Sequence, residues 1–151
     1  SKARNPTFNA RSMLELNRRA ADVLRPFEPD AVTDVTEFGL LGHAYELAAR
    51  SGVRAVIDAK MLPALPGALE LAAAGTLTGG DRRNREYAEA HVESAAAPEL
   101  ETLAYDPQTA GGLLVALPAD RAAVLAATFA GERLLAARIG RIEDGSGVLL
   151  R

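Results

Sequence analysis

A pair of glycines, Gly111 and Gly112, runs into Leu113-Leu114-Val115-Ala116-Leu117, an unbroken apolar stretch with no polar side to offer water. A run this short and this apolar, entered through turn residues, reads as a central strand of a sheet. A chain that contains such a strand must also supply neighbouring strands and helices to cover them. Asp106-Pro107, just upstream, breaks regular structure and separates this strand from the short helix expected over Leu100 to Ala104.

Of the 151 residues, 48% are hydrophobic and 25% charged, enough for one globular domain with its own core. Ser1 to Thr7 are polar with Pro6 among them, so residues 1–11 read as a linker and 12–151 as a single domain. Ser12 and Glu15 have the spacing of a capping box, and Met13, Leu16, Ala20, Val23 and Leu24 follow at helical intervals until Pro26 and Pro29. That pattern predicts a first helix. A second is predicted by the stripe Phe38, Leu41, Ala44, Tyr45 and Ala48, closed by Ser51-Gly52.

Val53, Ala55 and Ile57 alternate with Arg54 and Asp58, the period expected of a strand with one face better buried than the other. Pro66 to Ala74 is helix-compatible, Thr76 to Ala97 reads as a loop with a short helix, and Ala119 to Phe129 reads as a helix ended by Gly131. The tail, Arg133 to Ile142 and Val148 to Leu150 around a glycine-containing turn, predicts two joined strands. The order helix, helix, strand, helix, strand, helix, strand, strand predicts an α+β fold with helices packed on a mixed sheet, and no fixed-period repeat competes with it.

Composition narrows the chemistry. With no cysteine, disulfides, thiolate nucleophiles and structural zinc clusters are excluded, and His43 and His91 are the only nitrogen ligands. What remains is oxygen chemistry. A net charge of −3 leaves no basic footprint for nucleic acid. No apolar run approaches the roughly 20 residues of a membrane-spanning helix, and the first residues lack a signal-peptide layout. The expected location is cytoplasmic, with neither nucleic acid nor membrane as partner.

Two segments carry candidate site residues. Thr33-Asp34-Val35-Thr36 sets a carboxylate and two hydroxyls ahead of a helix start. Such groups suit a divalent cation bridging to a phosphate that also meets unpaired helix N–H groups. They also suit ordinary helix capping. Tyr105-Asp106-Pro107-Gln108-Thr109-Ala110-Gly111-Gly112 is a polar turn into the central strand. Its glycines permit close approach of a ligand, or serve only a tight loop. His43 reads as structural, Phe38 and Tyr45 as core, and His91 as solvent-facing loop. Arg82, Arg83 and Arg85 read as an exposed charged loop or as a contact to phosphate or a neighbouring domain.

In both segments the sequence resembles the selenophosphate synthetases (selenide, water dikinases). The matching residues are Thr33-Asp34-Val35-Thr36 leading into Phe38-Gly39-Leu40-Leu41-Gly42-His43, and Asp106-Pro107-Gln108-Thr109 leading into Gly111-Gly112-Leu113-Leu114. Similarity continues through Leu65-Pro66-Gly67-Ala68, Gly79-Gly80, Arg82-Arg83-Asn84 and Ile139-Gly140.

The resemblance implies the carboxy-terminal domain of such an enzyme, with the fold of the aminoimidazole ribonucleotide synthetase C-terminal domain: a mixed, mainly antiparallel sheet of about four strands flanked by helices. It implies ATP and Mg²⁺ as cofactors, and conversion of ATP, selenide and water to selenophosphate, AMP and orthophosphate. In that family the reactive cysteine or selenocysteine and its lysine belong to an amino-terminal ATP-binding domain that this chain lacks. No catalytic residue is therefore expected here, and the fragment alone is expected to be inactive. Asp34 matches the family's Mg²⁺ ligand, and the Thr33 and Thr36 hydroxyls would sit in the ATP and Mg²⁺ phosphate shell. The implied partners are the amino-terminal domain and, in the complete protein, a second copy.

Glu37 and Ala110 stand where the family has glycine and serine. A glutamate there adds a side chain and a negative charge beside triphosphate, or else a first-turn acid favourable to the helix. The alternatives to the enzyme reading are a non-catalytic interaction or regulatory domain, and the corresponding domain of another member of the superfamily.

Overall fold

The computed structural model describes residues 11–17, 21–35, 39–62, 80–105 and 112–151. In chain order they form β1 (Arg11–Asn17), α1 (Ala21–Leu24), β2 (Ala31–Asp34), α2 (Gly39–Ser51), β3 (Arg54–Ile57), α3 (Gly80–Ala88), β4 (Val92–Ser94), α4 (Pro98–Tyr105), β5 (Gly112–Pro118), α5 (Ala119–Gly131), β6 (Ala136–Glu143) and β7 (Val148–Leu150). The strands make one sheet in the order β2-β5-β1-β6-β3-β7-β4. Pairing is antiparallel from β2 through to β3 and parallel for β3 with β7 and β7 with β4. The expected α+β class with a mixed, mainly antiparallel sheet is what forms. The strand count is seven among the described residues, against the expected four or so.

The apolar run of β5 has the predicted cause. Leu114 and Ala116 join the core under α2, while Leu113, Val115 and Leu117 join a second core under α5, so both faces are buried. α2 lies on the first face through Leu40, Leu41, Ala44, Leu47 and Ala48, all at most 5% exposed. It ends as predicted: Gly52 takes a φ of +64°, and the Val53 N–H donates to the Ala48 carbonyl at 3.0 Å. α5 covers the second face with Ala122, Leu125 and Phe129. Burial of a Leu or Phe side chain of this kind contributes roughly 1.5–3 kcal/mol.

Three expectations are corrected. The helix expected from Ser12 to Leu24 is instead a strand, β1, followed by the single-turn α1. β1 has ladders on both sides, Met13 opposing Ala116 of β5 and Gly140 of β6. A capping box is worth about 1 kcal/mol, and two full ladders built with distant strands outweigh it. The two joined strands of the tail form but are not neighbours, because β3 lies between them and pairs with both. The stretch expected as a loop with a short helix holds all of α3, a turn of 3₁₀ helix at Glu89–His91, and β4. His91 is exposed as expected, but it lies in that turn and stacks on Tyr45 with centroids 4.2 Å apart. The helix expected over Pro66 to Ala74 lies outside the described residues.

Candidate functional site

Asp34 is the last residue of β2, and Gly112 is the first of β5. The two strands are in register, with Asp34 opposite Leu113, and the Val35 N–H donates to the Gly112 carbonyl at 2.9 Å. That bond clamps the end of the first candidate segment to the start of the strand that the second segment enters. Asp34 is exposed, and its carboxylate has no hydrogen-bond or ion-pair partner among the described residues. It precedes Gly39, the start of α2, by five positions, too far to serve as the helix N-cap.

Thr33 is placed differently. Alternation along β2 turns it toward α2, where it lines a small cavity of about 50 Å³ with Glu46, Leu47 and Arg50. Its hydroxyl donates to the Asp34 carbonyl at 3.4 Å. Thr33 and Asp34 therefore leave the strand on opposite sides. Thr36, Glu37, Phe38 and residues 106–111, which include Ala110, lie outside the described residues.

The start of α2 meets the end of α4 at close range. Gly39 has a φ of +79°, and a Cβ there would lie 2.5 Å from the Tyr105 carbonyl oxygen. Tyr105 is the last residue of α4 and directly precedes Asp106, so the two candidate segments converge at this point as well. Its carbonyl accepts a 2.6 Å hydrogen bond from Asn84 Nδ2 of α3, and Asn84 is itself buried. Arg85 braces the same helix: Nη1 donates to Glu101 Oε1 at 2.6 Å, Nη2 to Thr102 Oγ1 at 3.1 Å, and the guanidinium lies 4.7 Å from the Tyr105 ring centroid. Of the three arginines considered from the sequence, Arg85 thus works inside the fold, while Arg83 is exposed.

The sequence places Gly39 and Asn84 in the motifs of the resemblance but gives neither residue a role. Asn84 sits in a strongly polar stretch with no apolar period to suggest burial, and a required positive φ has no local signature beyond glycine itself. We expect Gly39→Ala to destabilise the fold by about 2–3 kcal/mol, combining left-handed strain with the carbonyl clash. In a chain of this size that is a fall in thermal midpoint of roughly 4–12 °C.

His43 is 6% exposed on the inner side of α2, with Nδ1 4.0 Å from Glu46 Oε2, and belongs to the packing and not to this site. The Tyr87 hydroxyl donates to Glu46 Oε1 at 3.0 Å. Desolvation, then the hydrogen bond to Glu46, raises the Tyr87 pKa. A cavity of about 520 Å³, with Tyr45, Arg54, His91 and Gly147 in its walls, lies along the other end of α2 and does not adjoin Asp34.

The donor set can be compared with Mg²⁺. That ion takes hard oxygen ligands, keeps several waters, and is commonly held by one or two carboxylates together with substrate phosphates. Asp34 fits as one such carboxylate. No group of three His, Cys, Asp or Glu side chains is assembled among the described residues. No helix among them is long and apolar enough to cross a membrane.

Known proteins agree with this architecture. Selenide, water dikinase 2 of Peptoclostridium acidaminophilum is 42% identical over 132 residues, covering 86% of this chain and 38% of that protein. Selenide, water dikinase of Citrifermentans bemidjiense is 39% identical over 137 residues, covering 91% of this chain and 40% of that protein. The chain thus spans about two fifths of the length of these curated relatives. Among solved structures, E. coli HypE, a hydrogenase maturation protein, superposes with a TM-score of 0.65 at 19% identity, covering 98% of this chain and 47% of that one, a likeness of fold. Residues 3–150 match the family described as AIR synthase related protein, C-terminal domain, and the chain belongs to that family.

Proposed function

We propose that this chain is the carboxy-terminal domain of an ATP-dependent selenide, water dikinase, the enzyme that converts ATP, selenide and water to selenophosphate, AMP and orthophosphate. The observation that carries the reading is the junction of the end of β2, the start of α2, the end of α4 and the start of β5. It brings together the described ends of the two segments through which the chain resembles that family. The roughly 40% identity to proteins of that name supports it.

In this reading Asp34 would supply one oxygen ligand to Mg²⁺ at the ATP phosphates. When bound, the ion neutralises phosphate charge as it shifts during transfer. The chain's own part is to bind and orient. The first-turn N–H groups of α2 lack intrahelical acceptors and favour an anion at that end. The clamp from Val35 to Gly112 fixes where Asp34 leaves the sheet. The Thr36 hydroxyl would join the phosphate shell. Thr33, turned toward α2, would act by fixing the end of β2 through its bond to the Asp34 carbonyl. The nucleophilic chemistry, with the cysteine or selenocysteine and the lysine, falls to an amino-terminal domain, and pairing of two complete copies would run mainly through that domain. This chain by itself would not turn over.

The test is selenide-dependent conversion of ATP to AMP by the full-length protein with Mg²⁺, beside Glu37→Gly. We expect turnover in the parent, and a change of less than about tenfold on restoring the family's glycine, since an acid ahead of a helix start in the sequence is compatible with the helix dipole. Activity only after the change to glycine would identify a disabled site. Activity in neither would favour a non-catalytic interaction domain.

A further inference from the structure

Asn84 joins three helices at one point. It stands on α3, donates to the last carbonyl of α4, and its Nδ2 lies 3.2 Å from where a Cβ on Gly39, the first residue of α2, would be. The side chain is 5% exposed, and a buried amide is costly unless its hydrogen bonds are made. Asparagine is also among the poorer helix formers, so neither propensity nor apolar packing accounts for it there. A donor is required, because the final carbonyls of a helix have no intrahelical partner. The same amide that caps α4 also stands next to the place a Gly39 side chain would fill. It therefore lies between the α2 start, which follows Asp34, and Tyr105, which leads into Asp106-Pro107-Gln108-Thr109.

We propose that Asn84 is a positioning residue for the phosphate end of the site, acting through the Tyr105 carbonyl and the close seat of Gly39. The proposal rests on the ATP-site reading above. A side chain that never touches substrate can still govern rate, because a displacement of about 1 Å in a reacting site can cost around 100-fold.

The test uses the full-length protein with Asn84→Asp, nearly isosteric but carrying no donor for the carbonyl, and Asn84→Ala. The control is Leu103→Ala, a buried residue of α4 whose loss destabilises the same helix without removing that hydrogen bond. Thermal midpoint, kcat and KM for ATP, and amide hydrogen exchange at Gly39 to Leu41 are read for each. We expect both Asn84 variants to lose about 10- to 100-fold in kcat. Exchange at the α2 start should quicken about tenfold, and both effects should exceed those of Leu103→Ala at equal or larger loss of thermal midpoint.

Asn84 variants within about twofold of parental kcat would overturn the proposal, as would kcat losses that merely track thermal midpoint as in Leu103→Ala. Failure of both to fold while Leu103→Ala folds would make Asn84 a packing residue and overturn it too. A parent with no selenide-dependent ATP consumption would instead sink the ATP-site reading, and the proposal with it. An active parent with indifferent Asn84 variants sinks the proposal alone.

Discussion

Asp34→Asn in the full-length protein should lower selenide-dependent ATP consumption by about 100-fold or more, the scale of losing one preorganised electrostatic contact to a reacting centre. The thermal midpoint should move by no more than about 2 °C, as for exposed substitutions that break no contact. The two expectations come from one observation: the carboxylate is exposed at the end of β2 and contacts no partner among the described residues, so the fold gains little from its charge. Asparagine keeps the shape and removes the charge a divalent cation needs. A large fall in thermal midpoint with unchanged turnover would show that Asp34 serves the fold and not the phosphates.

Gly140→Val should leave little folded protein, and Gly140→Ala should cost about 4 kcal/mol, above the usual 1–3 kcal/mol of overpacking. A Cβ at Gly140 would overlap the Val56 carbonyl oxygen of β3 and come within 3.0 Å of the Ile57 Cα. Backbone cannot rotate aside as a side chain can. The position is also central. Gly140 pairs with Ile57 of β3 on one side and Met13 of β1 on the other, and the register of β1 and β6 slips next to it, with Leu14 opposite Arg138. Moving β6 outward would break ladders on both edges. Gly131→Ala is the contrasting control: a Cβ there meets nothing within 4 Å, so stability should hold or rise slightly. Thermal unfolding of the three variants and the parent, with soluble yield, checks the order. A Gly140→Ala protein as stable as Gly131→Ala would contradict the close strand spacing at this bulge.

The site was legible from the sequence only in part. Asp34 and the turn into Gly112 stand out as polar groups at element boundaries, and the family resemblance joins them. Asn84 and Gly39 fall within the matching motifs, but their roles did not show, because what makes them matter is a carbonyl contributed by α4, distant along the chain. The opposite directions taken by Thr33 and Asp34 follow from β2 being a strand, whereas the two read together look like one cluster ahead of a helix.

For the fold, the sequence by itself determined α2, β3, β5 and α5, because each carries its own period or an unbroken apolar run bounded by glycine or proline. It also determined the class, since the alternation of such segments leaves few ways to bury them. Only the tertiary structure decided that Arg11–Asn17 is a strand and that β3 separates β6 from β7. Helix-forming hydrogen bonds join residues four apart and leave their mark in local spacing. The ladders of β1 reach β5 and β6 about a hundred residues away, and a strand's partners are chosen by side chains and backbone that its own sequence does not contain.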